Sequence, residues 1–121
     1  MLLPSQGVRV YVCVEPVDMR RSFYGLYGVA KDVLEEDPQS GAIFVFLNKQ
    51  ADYLKALYWG GDGFCLWAKR LERGTFERLR THDGGRKRSL SFSEFQLLIE
   101  GIDLSSVRRR KRLGGISRSR S

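Results

Sequence analysis

YLKALYWGGDGFCLWAKR, residues 53–70, is the stretch whose reading decides the fold. Tyr53 to Trp59 is an aliphatic and aromatic run, and after the connector "GGDG" the side chains of Phe64, Leu66 and Ala68 alternate with Cys65, Trp67 and Lys69. Two β-compatible runs joined by a short Gly/Asp connector predict a β-hairpin. The same glycines do not read as a phosphate cradle. A P-loop needs a lysine followed by Ser or Thr and a helix start that supplies free amides, and neither follows here; a GxGxxG dinucleotide fingerprint is missing as well.

Upstream, "VRVYVCV" sets Val8, Val10, Val12 and Val14 against Arg9, Tyr11 and Cys13, the period of a strand with one strongly buried face. Glu15-Pro16 ends it, because proline cannot donate to a ladder. Asp18 is placed to cap a helix in which Met19, Phe23, Leu26, Tyr27, Ala30, Val33 and Leu34 form one apolar stripe through to about Glu36. Gly25 and Gly28 inside it read either as close packing on a sheet or as surface tolerance. "DPQSG" is a turn, and "AIFVFL" after it is apolar on both faces, as a central strand covered from two sides must be. "NKQAD" connects this strand to the hairpin.

Beyond the hairpin, "TFERLRT" and "RKRSLS" around "HDGG" predict a last exposed ribbon. Ser91 and Glu94 have capping-box spacing, Phe95, Leu98, Ile99 and Ile102 share one helix face, and Gly101 stands where a helix stops. The order predicts an α+β fold: a largely antiparallel or mixed sheet of about four to six strands with one long and one short packed helix. Residues 1–106 are expected to form a single domain, and residues 107–121 a basic, disordered tail too poor in apolar side chains to order itself. The 121 residues, 42% hydrophobic and 12% aromatic, suffice for one core.

No apolar run approaches the roughly 20 residues that span a bilayer, and "MLLPSQGVRV" lacks the pattern of a secretory signal. The expectation is therefore cytoplasmic, with no membrane partner. Cys13 and Cys65 sit in apolar runs as small hydrophobes, with a disulfide between them left open, and His82 is the one histidine. No cofactor or metal is expected from so poor a ligand set. Glu15, Asp18, Asp62 and Asp83 fit capping and turn roles better than a metal-holding trio, so no catalytic residue is assigned.

The formal charge is +7, but it is unevenly spread. Residues 1–68 sum to -2, residues 69–88 to +5, residues 89–106 to -3 and residues 107–121 to +7. The candidate DNA-binding residues are therefore Lys69, Arg70, Arg73, Arg78, Arg80, Arg86, Lys87 and Arg88 around the hairpin, with Arg108, Arg109, Arg110, Lys111 and Arg112 in the tail. Cations at this density neutralise phosphates, and aromatic faces stack on bases. Trp67 and Phe76 read first as core. The alternative is a protein-docking surface through Tyr58, Trp59 and Trp67, read as exposed.

Four segments, "PVDMRRSFYGL" (16–26), "DPQSGAIFVF" (37–46), "KALYWGGDGFCLWAKRLERGTF" (55–76) and "LLIEGIDL" (97–104), together resemble the TnpB accessory proteins of insertion sequence 66 type transposable elements. The resemblance covers most of residues 7–104. It implies a bacterial, non-enzymatic accessory factor for DNA transposition, with DNA and the element's transposase as partners, and leaves self-association open. It carries no catalytic residue over to this chain. Gln50 stands where the family leads one to expect a basic residue, and "ERLR" after Phe76 where it leads one to expect Trp-Pro.

Overall fold

The computed structural model describes residues 7–81 and 83–106; His82, Arg108, Arg109, Arg110, Lys111, Arg112 and the expected tail lie outside the described residues. The chain builds five strands, β1 (Val10–Cys13), β2 (Ile43–Leu47), β3 (Tyr53–Trp59), β4 (Phe64–Arg70) and β5 (Lys87–Leu90), into one sheet of order β4-β3-β2-β1-β5. The β1–β2 pair is parallel and the other three are antiparallel. Parallel neighbours need a crossover, and helix α1 (Phe23–Gly28) supplies it, running on as a π-helical turn, Val29–Val33.

β2 is buried along its whole length, because the sheet is covered on both faces. Phe44, Phe46 and Leu57 meet Leu26, Ala30 and Leu34 of the α1 layer, while Val45, Leu47 and Leu54 point the other way, toward Phe76 and helix α2 (Phe92–Ile99). The predicted hairpin forms in full register from Tyr53–Arg70 to Trp59–Phe64, closed by Gly60 N–H donating to Gly63 O at 2.8 Å. Gly61 takes φ +98°, which explains a glycine there.

Helix α2 has both predicted ends. Ser91 accepts from the Glu94 amide while the Glu94 carboxylate accepts from the Ser91 amide. At the far end, Gly101 at φ +79° donates to Leu98 O and Ile102 to Leu97 O, a Schellman closure.

Both bounds of the first helix are corrected. The first helix starts at Phe23, not after Asp18: the Asp18 carboxylate accepts from Arg20 N, its carbonyl accepts from Arg21 N, and this separate turn precedes the helix. The helix also stops short of Glu36, since Glu35 takes φ +55°. Of the two readings of its glycines, surface tolerance is the one that holds: the nearest atoms to a Cβ on Gly25 are those of the Arg21 side chain, and one on Gly28 meets nothing within 4 Å.

The ribbon of "TFERLRT" with "RKRSLS" does not form. Lys87–Leu90 pairs with β1 instead. Phe76 and Leu79, three apart rather than two, both enter the core, a spacing that a strand does not permit. Cys13 and Cys65 are free thiols. Among the described residues, no helix is long and apolar enough to cross a membrane.

Candidate nucleic-acid interface

The strand registers bring the ends of β1, β2 and β4 and the starts of β3 and β5 to the same end of the sheet. Residues 14–22, the turn 48–52 and the described residues of the crossing segment, 71–81 and 83–86, therefore gather there. The crossing segment is tied to this end by Leu71 N–H to Asp52 O (2.8 Å), Phe76 N–H to Ala51 O (2.7 Å) and Val14 N–H to Arg86 O (3.0 Å).

Asn48 builds the turn. Its Oδ1 accepts from the amides of Asp52 (3.0 Å) and Tyr53 (3.1 Å), and its Nδ2 donates to the Asp52 carboxylate at 2.6 Å. Lys49 and Gln50 are thereby held exposed at the tip. Arg78 clamps the turn from behind by donating to Asn48 O and Lys49 O.

Lys55 organises the neighbouring segment. It is 9% exposed, in a strand otherwise apolar at its centre, and its Nζ donates to Met19 O and Arg21 O, both at 2.8 Å. A buried ammonium is tolerated only when its donors are satisfied, so two backbone carbonyls of residues 18–22 are fixed over β3. This leaves Arg20 with its side chain 91% exposed, in a forked bond with Asp18 at 2.6–3.1 Å. The guanidinium's hydrogen bonds hold the Asp18 carboxyl down to about 2.

Between these segments lies a groove of about 460 Å³, lined among others by Arg20, Lys49, Gln50, Tyr53 and Arg70. The Arg70 guanidinium lies 4.3 Å from the Tyr53 ring centroid, a cation–π contact that orients it. Three cations thus face one groove with a single acid, Asp18, already bound to one of them. Three positive charges facing one groove suit a polyanion.

The predicted basic cluster divides when placed on this frame. β4 and β5 are opposite edges of the sheet, separated by three strands or roughly 19 Å, so Lys69 and Arg70 do not share a hairpin with Lys87 and Arg88. Several of these cations are also engaged in the architecture. Lys69 donates to Ile99 O at the end of α2 (2.8 Å), and Lys87 donates to Leu34 O at the end of the α1 layer (2.9 Å) and to the Glu36 carboxylate. Arg88 donates to Arg80 O at 3.0 Å, and Arg86 lies 3.4 Å from Glu15. Arg70, Arg73, Arg80 and Arg86 remain exposed, the last beside an exposed Glu15.

The predicted aromatic surface also changes. Tyr58 is 3% exposed and faces the α2 side of the core, where burial raises the pKa of its hydroxyl. Trp59 packs edge-on against Phe64 at 5.0 Å, and Trp67 is half-buried against the same core as Tyr58. The exposed large hydrophobics are instead Tyr24 (88%) and Phe23 (41%). Of the four acids weighed as a metal-holding trio, Asp62 occupies the β3–β4 turn at the opposite end from Asp18, Glu15 faces Arg86, and Asp83 accepts from Gly85 N–H; among the described residues no three His, Cys, Asp or Glu side chains are grouped to hold a metal.

Arg20, Lys49, Tyr53 and Lys55 are candidate site residues that sequence reasoning missed. Lys55 left one signal, a lone lysine inside an apolar strand. Arg20 left none, because a helix drawn from Asp18 hides the turn that presents it.

The chain matches the family described as "IS66 Orf2 like protein" over residues 8–109. The uncharacterized protein y4jC of Sinorhizobium fredii (strain NBRC 101917 / NGR234) is 41% identical over 110 residues, which cover 91% of this chain and 92% of the relative. A second protein of that strain, the uncharacterized protein y4hO, is 36% identical over 103 residues, or 84% of this chain and 88% of the relative. No solved structure matches the chain.

Proposed function

This chain belongs to the IS66 Orf2-like family, accessory proteins of insertion sequences, and on that premise we propose that it serves transposition by holding DNA through phosphate contacts, without chemistry of its own. One observation carries the reading. Arg20, Lys49, Arg70 and Arg73 come from separate segments of the chain, yet all are exposed at the end of the sheet where β2 and β4 finish and β3 begins. Side chains that serve only to keep a surface hydrated do not require the Asn48 turn, the Lys55 anchor and the Arg78 clamp to hold their backbone.

The test is titration of the full chain against a duplex of about 20 base pairs across a salt series. Phosphate contacts release counterions, so the logarithm of the binding constant falls linearly with log salt, by about 0.9 per contact. Replacing Arg70 and Arg73 by alanine flattens that slope. A full chain that gives no complex even at low salt refutes the reading.

A second reading, docking on the element's transposase, is favoured by β4. It is a seven-residue edge strand, and among the described residues no strand pairs with its outer side. Such an edge accepts a strand from a partner. Co-purification that survives nuclease treatment supports docking; loss of association on nuclease treatment assigns the link to DNA.

A further inference from the structure

We propose that the basic end of the sheet is built for single-stranded DNA, with Tyr24 and Phe23 as stacking faces for unpaired bases and Arg20, Lys49 and Arg70 as backbone contacts. This rests on the DNA-binding reading above and narrows its substrate.

The first argument is placement. Phe23 and Tyr24 open helix α1 after the Ser22 cap that follows Arg20 and Arg21; the crossover from the end of β1 puts this helix start at the end of the sheet where the groove lies, outside the groove's own lining. Leu26 and Ala30 hold the helix to the sheet by their full burial, so Tyr24 at 88% exposure stands on the outward side. Its ring makes no aromatic contact within the described residues.

The second argument is rigidity. Lys55 fixes the carbonyls of Met19 and Arg21, so the residues that lead into the helix are anchored to β3. The aromatic pair is therefore presented on a held backbone, which lowers the ordering that binding requires.

The third argument is chemical complementarity. A duplex offers phosphates but keeps its base faces stacked inside, where exposed tyrosine and phenylalanine rings gain nothing from them. A single strand offers both phosphates and π-faces, and each base–aromatic stack contributes about 1–3 kcal/mol by alanine substitution. A groove of about 460 Å³ lies in the size range of pockets that take small organic ligands, and a nucleotide fits that scale. An acidic protein surface satisfies the cations, but it leaves Tyr24 without a stacking partner.

The experiment compares three fluorescein-labelled ligands of about 15 nucleotides, binding to the full chain by anisotropy: oligo-thymidine, the same backbone with abasic sites, and a duplex. The wild type is expected to bind oligo-thymidine tightest and the abasic strand weakest. Tyr24→Ala is expected to weaken oligo-thymidine binding about 5- to 150-fold while leaving duplex and abasic binding within about twofold, and Tyr24→Phe should restore it. Because Tyr24 packs on little, the variant's folding is checked by its melting temperature, which should not move. Equal binding of abasic and thymidine strands, or an indifferent Tyr24→Ala, overturns the single-strand proposal and leaves duplex binding standing. No binding to any of the three overturns both.

Discussion

Replacing Lys55 by methionine tests the anchor on which the site depends. Methionine keeps most of the stem but removes an ammonium that donates to Met19 O and Arg21 O at 2.8 Å each. Hydrogen bonds from a charged donor contribute about 1.5–3 kcal/mol apiece, so the two together set an upper bound near 6 kcal/mol. Against this stands the cost of keeping an ammonium out of water, several kcal/mol before relaxation, which methionine relieves. Because the two carbonyls are left facing an apolar side chain, the net loss is expected at about 2–3 kcal/mol. That lowers the melting temperature by about 10 °C for a chain of this length. Urea unfolding followed by tryptophan fluorescence measures the first quantity. Trypsin cleavage after Arg20 and Arg21 under native conditions measures the local one, since opening of residues 18–22 exposes both bonds. The reasoning is refuted if Lys55→Met lies within about 0.5 kcal/mol of the parent with unchanged cleavage, or if it is more stable, which would mean that desolvation outweighs both bonds.

Asp18→Asn removes the one acid lining the groove and releases Arg20 from its fork; DNA affinity at low salt should rise about fivefold, the value of one unit charge at contact distance in water, and a fall would refute the role of Arg20. The same carboxyl is depressed to about 2 from the ordinary 3.8, so the stabilisation from its pair with Arg20 is fully present above about pH 4 and lost as pH falls through 2. A carbon-13 titration should find that midpoint, and one near 4 would show that the fork does not persist in solution. Phe76→Ala, at a position fully buried under the sheet, should cost about 3–5 kcal/mol in urea unfolding; a loss below about 1 kcal/mol would mean the crossing segment is not packed as described. Lys69→Met should cost about 1 kcal/mol through the α2 terminus without changing the salt slope of DNA binding, whereas Arg73→Ala should flatten that slope by about 0.9 and leave stability alone.

The hairpin at residues 53–70 and the capped helix α2 were legible because their signals are local. Turn glycines, alternation, a Ser–Glu capping box and a terminal glycine each act within a few residues. The parallel pairing of β1 with β2 left only the doubly apolar "AIFVFL" as a sign, and that pattern says a strand is covered on both faces without saying which neighbour it takes. The first helix was misplaced because Met19 fits the apolar stripe of Leu26 and Ala30 by spacing, while Lys55, 36 residues away, holds the Met19 carbonyl outside the helix. Segment 71–86 was misread for a related reason. Phe76 and Leu79, three apart, break strand alternation, and one such pair is too short a pattern to reveal that an irregular segment buries both under the sheet.

The basic cluster shows why charge along a chain is a weak guide to charge on a surface. Residues 69–88 sum to +5, yet Lys69 and Lys87 each donate to a carbonyl at the C-terminal end of a helical segment, where the macrodipole favours a cation. Arg78 and Arg88 hold backbone carbonyls of their own fold. What remains exposed, Arg70, Arg73, Arg80 and Arg86, gains its functional meaning from residues that the charge sum does not single out. Arg20 and Lys49 join them only because a parallel crossover and a tight turn end at the same edge of the sheet. The surface offered to a polyanion is thus set by topology first and by composition second: a cation contributes to it when no helix end or turn carbonyl has a prior claim on its donors.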